Sequence, residues 1–154
     1  MNGRAHLGGN LLVAGAGVAA AAVDTPELLP SVTIGLALGI IGGPDVRDQE
    51  HVRNAGEWVV THTLGRTLGH LWTAYWWPLA KALPHRSRLS HAPLLSTLIA
   101  LLYLTAPPLT AYWLLVDTGQ GWWQFMASWA LQRETLGLYM GWAAQDINHW
   151  LLDL

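Results

Sequence analysis

The sequence contains no cysteine. That excludes disulfides, a thiolate nucleophile and any Cys-type zinc site, so a bound metal has to be held by His, Asp or Glu. Charge is scarce as well: only 12% of residues are Asp, Glu, Lys or Arg, well below an ordinary soluble domain. A formal net charge of −2 gives no electrostatic reason to expect a nucleic-acid partner. Phenylalanine is nearly missing, one residue against ten Trp and four Tyr. Amphipathic rings of that kind are favoured where an apolar phase meets water, as at a bilayer surface. What remains is mostly apolar, 52% of 154 residues, enough for one domain with a core. Mean hydropathy of +0.27 is only modestly positive, so not every segment is expected to lie in lipid.

Residues 7–23, "LGGNLLVAGAGVAAAAV", carry no charge and are rich in Gly and Ala. Their length reaches the lower limit for a spanning helix, and small residues suit close helix packing in lipid. A secretory leader is the competing reading, because Arg4 precedes the stretch and Ala19 to Ala22 offer a cleavage site. "DTPEL" then makes a turn with Pro26 at a helix start. A second uncharged stretch, 28–43, stops at Gly42, Gly43 and Pro44 and puts Asp45 at its end. The two stretches are expected to form a helical hairpin that returns residue 45 to the side of residue 6.

From Glu57 to Leu83, His62, Arg66 and His70 fall four apart among Trp and Leu. That stripe predicts a single helix lying in the interface, with Pro78 bending or ending it. His62 and His70 are then polar-face residues. Residues 92–116 hold no charge and give the clearest membrane signal, with a kink or break expected at Pro107 and Pro108. The last 33 residues, from Trp122, predict helix interrupted only by Arg133 and Glu134. The expected fold is all-α: a polytopic helical membrane protein of about three to five membrane or interfacial helices, residues 1–154 forming one domain.

Charge placement bears on topology independently. If the segments at 7–23, 28–43 and 92–116 span, the N-terminus and residues 44–91 share a side. Arg4, Arg47, Arg53, Arg66, Lys81, Arg86 and Arg88, seven of the eight basic residues, fall there. The opposite turns hold Asp24, Glu27 and Asp117. The positive-inside rule makes the basic side cytoplasmic.

The same topology gathers potential ligands at that face. His6 precedes the first segment and Asp45 follows the second. His85 and His91, in "PHRSRLSH", precede 92–116, and "DINHWLLD" supplies Asp146, His149 and Asp153. His149 and Asp153 are four apart, hence on one helix face. Imidazole and carboxylate together suit Zn²⁺, Mn²⁺ or Fe²⁺, zinc first. A divalent cation there would lower the pKa of a bound water and favour hydrolysis. Arg86 and Arg88 suit a clamp on a phosphate-like anion, and Asp146 suits a base or an orienting group.

These stretches resemble a family of bacterial membrane proteins described as metal-binding. Its pattern runs G-R-x-H, G-P-D-x-D, W-x-P-x-x-K-x-x-x-H-R-S-x-x-S-H-x-P and a late H-x-x-x-D. The counterparts here are "GRAH" at 3–6, "GGPDV" at 42–46, "WWPLAKALPHRSRLSHAP" at 76–93 and "HWLLD" at 149–153. That family looks related to inner-membrane-associated hydrolases with an H-R-G-x-T-H motif. More remotely it is similar to the zinc-dependent phospholipase C and single-strand nuclease superfamily. The resemblance implies a helical fold with His6, Asp45, His85, His91, His149 and Asp153 as metal ligands for phosphoester hydrolysis. One departure is Arg47, which stands where the pattern has a second acid.

The expectation is therefore a metal-dependent phosphohydrolase embedded in a bacterial inner membrane, its site on the cytoplasmic side. Its substrate is expected to be a phosphoester, phospholipid or lipid-linked. The competing reading, favoured by Arg47, is a non-catalytic metal-binding membrane component that binds a partner protein or a second copy of itself.

Overall fold

Alanine- and leucine-rich stretches propagate helix at little cost, and this chain offers several. A computed structural model describes residues 3–43, 55–83, 92–116 and 118–152, with backbone alone for 3–7, 55 and 56. Every regular element among them is helical. They are α1 (Gly3–Asp24), a 3-10 turn (Pro26–Leu28), α2 (Leu29–Ile41), α3 (Ala55–Leu64), α4 (Arg66–Ala82), α5 (Pro93–Leu115), α6 (Trp122–Ala130) and α7 (Arg133–Leu152). The all-α expectation holds. Pro26 opens the turn between α1 and α2, where a missing N–H costs nothing.

The tightest contact is between α2 and α7. A Cβ on Gly35 would stand 2.1 Å from the Leu138 carbonyl oxygen, and one on Gly141 would stand 2.3 Å from that of Val32. Gly137 lies against Ser31 and Gly39 against Gln145 and Trp142, so residue numbers rise together along both helices. The two run parallel, and both end at the same end of the molecule. Helix α1 is antiparallel to them: Gly17 meets Leu36, while Gly9 meets Asn148 and Leu152.

Helices α4 and α5 close the core around Trp76, Leu79, Leu83, Ala100, Leu101 and Trp142. The indoles of Trp76 and Trp142 meet edge to face, 6.3 Å between centroids. Trp72 Nε1 donates to the carbonyl of Ile41 at 2.7 Å, satisfying one of the acceptors that a helix end leaves open.

The break allowed for at Pro107 and Pro108 and the end allowed for at Pro78 do not occur. Helix α5 runs unbroken through Pro107 and Pro108. Neither proline can bond the carbonyl four residues back, which leaves those of Tyr103 and Leu104 without their helical donors. The Tyr75 hydroxyl serves both, at 2.8 Å from Tyr103 O and 3.4 Å from Leu104 O. In return the Tyr103 hydroxyl donates to Tyr75 O at 2.7 Å. Tyr75→Phe is therefore expected to lower stability by about 1–3 kcal/mol, the cost of a polar group left without its bond. A fall in thermal midpoint relative to wild type would measure it. Pro78 likewise fails to end α4, which continues to Ala82 with Trp76 and Leu79 buried on either side of it.

The single helix expected over 57–83 is broken. Gly65 takes φ +94, a conformation open to glycine, and no other residue separates α3 from α4. The chain folds back at that point, bringing Thr61 against Gly69.

Among the described residues α5 alone is long and apolar enough to cross a membrane. Helix α2, at 13 residues, rises only about 20 Å against a hydrocarbon thickness of about 30 Å. The apolar part of α1, Gly8–Asp24, is also short of the length that α5 has.

Candidate metal centre

The start of α1, the end of α2, the start of α5 and the end of α7 meet at one end of the bundle. Asn10 joins α1 to α7: its carbonyl accepts from Gln145 Nε2 at 2.9 Å and its Oδ1 from Asn148 Nδ2 at 2.8 Å. Gly39 and Gly42, at the end of α2, touch Gln145 and Trp142. Ser96 and Thr97, in the first turn of α5, reach Asp146 of α7.

Asp146 and His149 stand three apart on α7, on one face, and both are buried, with 1% and 4% of their surface exposed. Nearly complete burial makes an ionisable pair costly unless it is bonded or coordinated. Thr97 Oγ1 lies 2.6 Å from Asp146 Oδ2 and 2.5 Å from Pro93 O. Ser96 Oγ lies 3.4 Å from the same carboxylate oxygen. A hydroxyl has one proton to give. Thr97 can give it to an ionised Asp146, or give it to Pro93 O and accept the proton of a neutral Asp146. The clamp thus fixes the carboxyl in either state.

Gly43 is the last described residue before Asp45, Ala92 the first after His91, and Leu152 the last before Asp153. His6 belongs to the first turns of α1, described there by backbone alone. Asp45, His85, Arg86, Arg88, His91 and Asp153 lie outside the described residues. Among the described residues no three His, Asp or Glu side chains group closely enough to share a metal. Of the expected ligands, His149 is the one whose side chain is described.

Sequence reasoning passed over Ser96, Thr97, Asn10 and Gln145. The signal for the first two was a pair of hydroxyls, "ST", one turn into an apolar run. For the others it was an amide inside an uncharged one and an amide beside Asp146. Gln145 Oε1 is buried with no hydrogen-bond partner among the described residues. It stands one turn before His149 on the same helix. Imidazole, carboxylate and amide oxygen together have the borderline-to-hard donor character that suits a divalent cation.

The family model for an uncharacterized metal-binding protein (DUF2227) matches residues 66–154. The chain belongs to that family. The match takes in α4 to α7, and with them Asp146, His149 and the segment that carries His85 and His91. The N-terminal hairpin, with His6 and Asp45, precedes the residues of DUF2227 matched here. Comparison with curated proteins and with solved structures gives no match.

Proposed function

We propose that the protein is a metal-dependent phosphohydrolase seated in a bacterial inner membrane, working on a phosphoester at the cytoplasmic face. The observation that carries this is the convergence of four helix ends on the clamped, buried Asp146 and its neighbour His149. His149 would hold a divalent cation together with His6, Asp45, His85, His91 and Asp153, which in the sequence fall within the first turns of α1, after α2, between α4 and α5, and after α7. The cation, zinc by preference, would supply the electrophilic character that phosphoester cleavage needs. Asp146, held by Thr97 and Ser96, would orient the imidazole of a ligand or carry the proton of an attacking water. Arg86 and Arg88 would neutralise the charge on the phosphoryl group.

The surface supports a place in lipid. Only 22% of the most apolar window of α5 is buried, less than the core helix of a soluble protein buries, which supports this reading. Leu94, Leu95, Leu98, Leu102, Leu114 and Leu115 all face outward. At its far end Tyr112 stacks on Phe125, and Trp113 and Trp122 hydrogen-bond across the turn to α6. Aromatic residues so placed are what a membrane–water boundary favours.

The protein purified in detergent is expected to carry a stoichiometric divalent metal by elemental analysis and to hydrolyse bis-p-nitrophenyl phosphate. His149→Ala should lower both by about tenfold or more. Metal without hydrolysis would favour the second reading, a non-catalytic metal-binding component with a protein partner, to which Arg47 already points. Equal metal in the wild type and the variant would end both.

A further inference from the structure

The fold-back at Gly65 creates a second polar site, remote in sequence from the metal centre. Between α3 and α4 lies a cleft of about 530 Å³ lined by Glu57, Trp58, Thr61, His62, Arg66 and His70. We propose that this cleft binds the phosphoryl group of an anionic ligand.

His62 is held for the purpose. Its Nδ1 lies 2.8 Å from the carbonyl oxygen of Trp58. A carbonyl only accepts, so Nδ1 carries the proton and Nε2 is the nitrogen left for a ligand. The Trp58 indole stacks on the imidazole, 4.3 Å between centroids and 29° between planes, and fixes the orientation of the ring. Arg66 opens α4, and His70 follows one turn later on the same face. The guanidinium of Arg66 makes no ion pair among the described residues, although it is the cation nearest the fold-back. A guanidinium fork lining the same cleft as two imidazoles is suited to paired N–H bonds to phosphoryl oxygens, where a lone ammonium offers only a point charge.

A metal is the obvious rival, given two imidazoles and Glu57. The cleft does not bring Glu57, His62 and His70 close enough to share an ion. The opposite face of the same two helices is apolar. Val60, Leu64, Leu68 and Leu71 line a groove of about 460 Å³ against Pro107 and Pro108 of α5. That face adds nothing to the recognition of phosphate, which rests with the cleft.

The phosphoryl group belongs either to a soluble phosphate or to a phospholipid, and the experiment separates the two. The full chain in mild detergent, stripped of lipid, is titrated with inorganic phosphate by calorimetry. In parallel it is titrated with phosphatidylglycerol and phosphatidylcholine, with retained lipid counted by native mass spectrometry. Wild type should bind either inorganic phosphate or phosphatidylglycerol in preference to phosphatidylcholine. The first result assigns a soluble ligand and the second a headgroup. Arg66→Gln/His70→Gln should weaken that binding about tenfold, and Arg66→Lys by a smaller factor because the fork is lost and the charge kept. The substituted side chains are exposed, so an unchanged thermal midpoint is expected. Metal content of the double variant should equal that of wild type, which keeps this test separate from that of the metal centre. Equal binding by wild type and double variant, or no binding of either anion by wild type, would overturn the proposal.

Discussion

Gly35→Val is expected to cost about 3 kcal/mol or more and to leave little folded protein at ambient temperature. A Cβ at this position would stand 2.1 Å from the backbone oxygen of Leu138, and a backbone oxygen cannot rotate out of the way as a side-chain tip can. The only relief is to part α2 from α7, which would also pull apart the Gly39 and Gly141 contacts on either side. Helix propensity predicts the opposite sign, since valine is a better helix former than glycine by a few tenths of a kcal/mol. The control is Gly15→Val on α1, where nothing lies within 4 Å of the added Cβ. That variant should keep a thermal midpoint within a few degrees of wild type or slightly above it. Equal midpoints for the two variants would show that α2 and α7 are not in backbone contact.

Asp146→Asn should separate folding from metal. The amide has nearly the shape of the carboxyl, and its oxygen can still accept from Thr97 at the 2.6 Å position. Stability is therefore expected to fall by only about 1–2 kcal/mol. The negative charge is gone, however, and outer partners of metal ligands typically govern affinity by 10- to 100-fold. Metal measured in the purified variant should drop by about that factor. Asp146→Ala should do both: it loses the metal and leaves two hydroxyls and a cavity at the start of α5, so the midpoint falls further. Full metal in Asp146→Asn would remove the carboxylate from any role at the centre and leave it a fold-holding group.

Much of the arrangement could be read from residue order. The stops at Asp24 and Gly42–Gly43 and the uncharged stretches between them specify the α1–α2 hairpin, whose antiparallel course returns the start of α1 to the end of α2. What escaped was long-range. Pro107 and Pro108 predict a kink or break because the residue that serves their freed carbonyls, Tyr75, lies about thirty positions away and carries no local mark. Gly65 lies between His62 and Arg66 without disturbing their spacing of four, since a positive φ leaves no trace in periodicity. The seam of Gly35 and Gly39 against Gly137 and Gly141 was legible in principle: two pairs of glycines four apart suit close helix contact. Nothing local says that the two pairs face each other. Ser96 and Thr97 were missed for the same reason, their partner being about fifty residues on.

The walls of the centre differ in what it takes to part them. Helix α2 meets α7 backbone against backbone at Gly35 and Gly141, where no side-chain tip can swing aside. Helix α1 is joined to α7 by amides, Asn10 to Gln145 and Asn148, bonds that water can replace one at a time. Of these two neighbours of α7, α1 is therefore the one that takes less to displace.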